Sequence, residues 1–336
     1  MAETVLVTGG TGFVAGWCIV ELLQRGYIVR TTVRDLAKES SVRAAVASGG
    51  ASSDPLTCVA ADLTQDEGWD AAVAGCDYVL HVASPLGRTA PRDPHDLIGP
   101  ARDGTLRVLR AATNAGVKRV VMTSAAAAAR PPHRSNRISD ETVWTDTRDQ
   151  KFDAYRLSKI LAERAAWDFV AGIGKPAALT TILPSAVFGP VLTREKLGSV
   201  QIIEGMLTGR HRGIPRFGFW VVDVRDLATV HIRAMTLPEA AGERFIAAGE
   251  FMWLEEIART LRVELGSRAS NVPTRRLPDA VVRLFALFMP PMRMLALDLG
   301  RRNELTAEKA RRVLGFSARP ANTTVVECAK SLLSRR

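Results

Sequence analysis

The stretch "TVLVTGGTGFVAGW", residues 4 to 17, constrains the fold of this chain more than any other. A run of strand-forming residues ends in a glycine-rich turn, and a helical pattern begins at once. Gly9 permits the tight turn and Gly12 lets the backbone approach a bulky anion. The helix that starts there points the positive end of its dipole at the same place. The third small position is Ala15, followed by Gly16, and alanine still lets helix and strand lie close. Such a unit suits a pyrophosphate when it opens a series of βαβ units.

That series is present. "TVLVT" (4–8), "YIVRTTV" (27–33), "LTCVAA" (56–61), "DYVLHVA" (77–83), "RVVMTS" (119–124) and "LTTILP" (179–184) have the composition of strands. Helical patterns such as "GWCIVELLQRG" and "DGTLRVLRAATNAG" lie between them, each closing at a glycine. The alternation predicts an α/β fold, a doubly wound parallel (Rossmann) sheet with helices on both faces. After Pro184 the rhythm loosens, which predicts a smaller, mostly C-terminal substrate lobe. The expected division is a dinucleotide-binding domain at 1–184, with 221–248 returning to it, and a lobe at 185–220 and 249–336. Within that return, "WVVDVRDLATVHIRAM" (220–235) reads as a strand rejoining the sheet and a helix.

The net charge of +10 raises the question of a polyanionic partner. Residues 259–336 hold 16 Lys and Arg against 6 Asp and Glu, and the rest of the chain holds 29 of each. No aromatic interleaving or nucleic-acid module accompanies this basic quarter, so it reads as a solvated arginine-rich surface, with no nucleic acid as partner. The most apolar stretch, 280–300, is interrupted by Arg283, Pro290, Pro291, Arg293 and Asp298. It is too broken to span a bilayer and predicts a packed helix, a proline break and a second helix. Four widely spaced cysteines form neither a metal-site nor a disulfide pattern, and "MAETVLVTGG" has no signal-peptide character. No metal and a cytoplasmic location are expected.

The second chemical motif is "AYRLSK", with Tyr155 and Lys159 four residues apart. On a helix these share a face. A neighbouring ammonium favours a phenolate, so the tyrosine is expected to have a lowered pKa and to act as proton donor and acceptor. His81, at the end of the fourth strand, reads as a packed histidine.

Together with "VRTTVRD", "AADLT", "YVLHVASP", "VKRVVMTS", "YRLSKILAERAAWDF", "VVDVRDLA" and "EKARRVLGF", the two motifs make this chain resemble the extended short-chain dehydrogenase/reductases over nearly its full length. The resemblance is to the dihydroflavonol-reductase-like branch of the NAD(P)-dependent epimerase/dehydratase superfamily. It implies hydride transfer between a nicotinamide cofactor and a carbonyl or alcohol carbon, with Tyr155 as general acid and Lys159 holding the nicotinamide ribose. It also implies cofactor contacts at Gly9, Thr11, Gly12, Phe13, Val14, Asp62, Leu63, Val82, Ala83, Ser84, Thr123, Pro184 and Val187. At the end of the second strand Arg34 precedes Asp35, and Lys38 follows; a cation there suits a 2′-phosphate, so NADP (NADPH) is the expected cofactor.

One departure concerns "TSAAAAAR", residues 123–130. Relatives commonly carry a second serine where this chain has Ala125, and that serine polarises the carbonyl. Ser124 is the remaining candidate, but alternation along a strand turns it away from the face of position 125 unless the chain bends. It is then either the catalytic hydroxyl or a strand-end hydroxyl. The expected function is an NADPH-dependent reductase of a small, apolar or aromatic ketone or aldehyde, a monomer or homodimer. The alternatives are a nucleotide-sugar epimerase/dehydratase and a non-catalytic dinucleotide-sensing regulator.

Overall fold

A computed structural model describes residues 2–85, 95–133, 135–148, 152–193 and 198–334. Ten strands are found among them: β1 (Thr4–Val7), β2 (Ile28–Val33), β3 (Leu56–Ala60), β4 (Tyr78–His81), β5 (Arg119–Thr123), β6 (Leu179–Pro184), β7 (Ala186–Phe188), β8 (Gly218–Asp223), β9 (Arg244–Ala247) and β10 (Phe251–Trp253). Seven of them form a parallel sheet in the order β3-β2-β1-β4-β5-β6-β9, the doubly wound arrangement expected. The order reverses between β1 and β4, which places the glycine turn after β1 at the switch point where such sheets bind ligands.

Burial on both faces explains why these strands are continuous apolar runs rather than alternating ones. Val5 and Val7 pack with Ile19 and Leu22 of the helix Phe13–Gln24 and with Val230 of the helix Val224–Thr236. Leu6, between them, faces the opposite layer with Val108, Leu109, Ala162 and Ala166. Those four come from the helices His95–Asn114 and Ala154–Gly172.

A second sheet, β10-β8-β7, stands apart, and its apolar face packs with Phe188, Ile203, Leu261 and Val325. The strand of "WVVDVRDLATVHIRAM" thus belongs to this small sheet, pairing β7 and β10, rather than returning to the large one. The strand that does return is β9, paired with β6 from Thr181–Arg244 to Pro184–Ala247. Four residues, "RFIA", three apolar behind an arginine, carry too little pattern to be singled out beforehand.

Residues 280–300 form the expected helix, break and helix, Asp279–Phe288 and Pro290–Leu297. The first of them is less packed than expected. Val282 and Ala286, one turn apart, face inward, whereas Leu284, Phe285, Leu287 and Phe288 are exposed. Among the described residues no helix is long and apolar enough to cross a membrane.

Candidate active site

The turn after β1 is built for close backbone approach. Gly9 lies in the left-handed region (φ 76°), and a side chain there would meet the Ala83 methyl at 3.0 Å. Thr11 and Gly12 complete the turn, and the helix from Phe13 and Val14 onward begins without a side-chain cap or an acidic residue in its first turn. Its first amides therefore keep their donor capacity for an anion. This cradle fits a dinucleotide pyrophosphate.

The β4 end is tied to this turn by one network. The amides of Val82 and Ala83 donate to the Thr8 hydroxyl (3.1 and 3.0 Å), which donates in turn to His81 Nδ1 (3.0 Å). His81 Nε2 donates to the Thr105 hydroxyl (3.1 Å), whose own proton goes to the Ala101 carbonyl. Burial, with the Lys159 charge, lowers the His81 pKa to about 3, so the ring is neutral and structural as the sequence suggested. Ser84 follows directly, half-buried.

At the end of β2 the carboxylate of Asp35 accepts the Ala37 amide (2.9 Å) and caps the short turn Leu36–Lys38. Asp35 is thus used locally, while Arg34 is exposed. Burial opposes ionisation of Asp62, yet hydrogen bonds from the Thr64 amide and hydroxyl and the charge of Arg34 hold its carboxyl below the usual value. Leu63 packs against Gly104, where a Cβ would come within 2.7 Å of it. Pro184 is buried at the end of β6, and Val187 of β7 packs on the same core as Val14.

Tyr155 and Lys159 lie on the helix Ala154–Gly172, which Asp153 caps by accepting the Arg156 amide (2.8 Å). The Lys159 side chain is buried and its ammonium donates to the Thr123 carbonyl at the end of β5 (2.8 Å). Burial lowers its pKa to about 8, although Glu163 opposes the shift. The Tyr155 hydroxyl makes no hydrogen bond to any described residue. Its expected lowered pKa is corrected: burial and the Asp153 carboxylate push it up to about 12. The ammonium, engaged with Thr123, does not offset them, and Tyr155 is a protonated phenol at neutral pH.

The hydroxyls at the end of β5 are committed elsewhere. Thr123 donates to His231 Nε2 (2.7 Å), and His231 Nδ1 donates to the Leu227 carbonyl (2.8 Å). Ser124, 1% exposed, donates to the Glu163 carboxylate (2.6 Å). Glu163 also accepts from Thr181 of β6 (2.8 Å) and from Arg244 Nε of β9 (2.9 Å). Ser124 therefore points into a buried polar node, as alternation demands, and is not positioned as a carbonyl-polarising group. Neither Glu163, Arg244 nor His231 stands out in the sequence. The available signal was Glu163 at one helical turn beyond Lys159, a spacing that places it on the Tyr155–Lys159 face.

A cleft opens at the start of the Tyr155–Lys159 helix, where Arg156, next to Tyr155, is one of its lining residues. Ala126, Ala127 and Ser185 also line it, and Phe217, directly before β8, forms an aromatic wall with Phe219 and Trp220 of β8 and Phe251 of β10. Arg130 pairs with the buried Asp298 across the far end. The segment "RFGFW" thus contributes to the cleft as expected, whereas among the described residues of 280–300 only Asp298 does.

Residues 5–248 match the model of the NAD dependent epimerase/dehydratase family. The chain is 33% identical to the ketoreductase azaE of Aspergillus niger, over 100% of this chain and 99% of that one. It is 33% identical to a dihydroflavonol 4-reductase of Gerbera hybrida, over 77% of this chain and 72% of that one. Among solved structures it resembles Gre2 of Candida albicans in complex with NADPH, with a TM-score of 0.81, 25% identity and 99% of each chain covered.

Proposed function

The chain belongs to the NAD dependent epimerase/dehydratase family, and from that premise we propose that it is an NADPH-dependent reductase of small ketones or aldehydes with an apolar or aromatic body. The observation that carries this reading is a buried ammonium fixed at the end of β5, one helical turn from a tyrosine whose hydroxyl is bonded to none of the described residues. The likeness to ketoreductase azaE and to a dihydroflavonol 4-reductase supports the same chemistry, and the likeness to Gre2 with NADPH supports the cofactor.

A reduced nicotinamide, when bound, supplies the hydride. Tyr155 gives its proton to the carbonyl oxygen as the carbon is reduced, and its high pKa keeps that proton in place at neutral pH. Lys159 lies beside it as a cation below pH about 8 and binds the nicotinamide ribose. The turn at Gly9, Thr11 and Gly12 and the helix start at Phe13 and Val14 would hold the pyrophosphate. Arg34, with Lys38, reads the 2′-phosphate, because Asp35 is turned into a local cap. Asp62 and Leu63 would hold the adenine, and Val82, Ala83, Ser84, Thr123, Pro184 and Val187 would flank the riboses and nicotinamide. Ser124 acts through Glu163, fixing the helix of Tyr155 and Lys159 against β5.

In this reading residues 1–184 with 221–248 bind the dinucleotide, and 185–220 with 249–336 form the substrate lobe. The partner is a small carbonyl or alcohol, without nucleic acid or membrane, and the chain works in the cytoplasm as a monomer or homodimer. The test is absorbance at 340 nm with NADPH, then NADH, against aromatic aldehydes, ketones and hydroxy-ketones. Turnover that prefers NADPH is expected; a cofactor that co-purifies and never exchanges would refute the reading.

A further inference from the structure

Reduction of a carbonyl builds negative charge on its oxygen, and a second donor beside the proton donor lowers the barrier when it is already in place. At the end of β5 no side chain remains for that task. Thr123 is bonded to His231 and Ser124 to Glu163, and residues 125–129 are all alanine.

The neighbouring strand offers one. β5 and β6 pair with Thr123 beside Ile182, so the chain just past Pro184 lies next to the start of the alanine run. Ser185 stands there, anchored by its amide on the Ala247 carbonyl (3.0 Å), and it lines the cleft with Ala126 and Ala127. Its hydroxyl is buried and has no hydrogen-bond partner among the described residues. Buried hydroxyls are nearly always bonded, because an unpaired one loses its water without compensation. A group left in that state beside a cleft is ready to bond a ligand.

We propose that Ser185 is a catalytic residue, whose hydroxyl donates to the substrate carbonyl oxygen alongside Tyr155 and replaces the donor absent at Ala125. The role has moved from the end of one strand to the end of its neighbour. The assignment rests on the carbonyl-reductase reading.

The test compares wild type, Ser185→Ala, Ala125→Ser and the double variant, with benzaldehyde and 2-hydroxyacetophenone as probes. It reads kcat and KM by NADPH oxidation, and NADPH affinity by fluorescence. Ser185→Ala is expected to lower kcat about 100-fold while NADPH affinity changes less than twofold. Ala125→Ser in that background should recover at least tenfold, because it restores a hydroxyl directly before the alanines that line the cleft, at the position where relatives carry their donor. A loss under threefold in Ser185→Ala overturns the assignment and leaves the reductase reading standing. A loss of NADPH affinity equal to the loss of rate, or no recovery in a folded double variant, also overturns it. Absence of turnover by the wild type defeats the reductase reading and this assignment with it.

Discussion

Replacing Lys159 by methionine is expected to abolish reduction and at the same time to stabilise the protein. Lys159 is 5% exposed and, among the described residues, its ammonium has one bond, to the Thr123 carbonyl. Its pKa falls from 10.5 to about 8 on folding. At 1.36 kcal/mol for each pH unit, keeping the ammonium charged in the folded protein costs about 3 kcal/mol at pH 7. Methionine removes this cost and fills a similar volume. It leaves the Thr123 carbonyl without its donor, a loss of about 1 kcal/mol, so a net gain of about 2 kcal/mol is expected at pH 7. The sign of the pH dependence follows from the proton count. Between pH 8 and 10.5 the unfolded chain binds the proton that the folded one has lost, so wild-type stability rises with pH relative to the variant. By pH 9.5 about half of the charge cost is gone, and the advantage of methionine shrinks to roughly zero. Urea unfolding of both proteins at pH 7 and 9.5 measures the difference, in which other titrating groups cancel. An advantage equal at the two pH values, or a variant less stable than wild type at pH 7, would refute the argument that Lys159 is a strained buried cation.

Tyr155→Phe should lower kcat at least about 100-fold with NADPH affinity nearly unchanged, as stopped-flow and fluorescence titration would establish. Arg34→Ala should weaken NADPH by roughly 1.5 to 3 kcal/mol and barely alter NADH; equal losses would show that it reads something other than the 2′-phosphate. Ser124→Ala should cost less than about tenfold in kcat but about 1 to 3 kcal/mol in stability, because Glu163 loses a buried donor. Arg244→Met should be worse, about 3 to 5 kcal/mol by chemical denaturation, since it leaves the Glu163 carboxylate buried without its countercharge.

The large sheet was legible because its strands are buried on both faces, which writes them as short apolar runs between glycine-closed helices. The glycine turn and Tyr155–Lys159 were legible because each chemical requirement is met within five or so consecutive residues. The node around Glu163 was not, since it draws Ser124 from just past β5, Thr181 from β6 and Arg244 from β9, and only folding brings them together. β8 was misplaced for a related reason. Its apolar run has the same composition as a strand of the large sheet, and its partners, β7 and β10, are three residues each. The raised pKa of Tyr155 also lies outside sequence reasoning: spacing put the ammonium on the right face, but burial and Asp153 decide the sign.

The node around Glu163 has a bearing on how this chain can be divided. The carboxylate is fully buried, and its countercharge arrives from β9, about eighty residues further on and beyond two strands of the small sheet. Arg244 also donates to the carbonyls of Glu141 and Val143 and stacks on the Trp144 ring at 3.7 Å. A fragment cut after Pro184 would keep the glycine turn, Tyr155 and Lys159, yet bury an acid with no base and leave β6 an open edge. The piece that looks like a self-sufficient nucleotide-binding module is therefore an incomplete one, and the shortest segment that closes the node runs through β9. Circular permutants and domain swaps should place their junctions outside residues 124–244, where a break leaves both members of the ion pair on one piece.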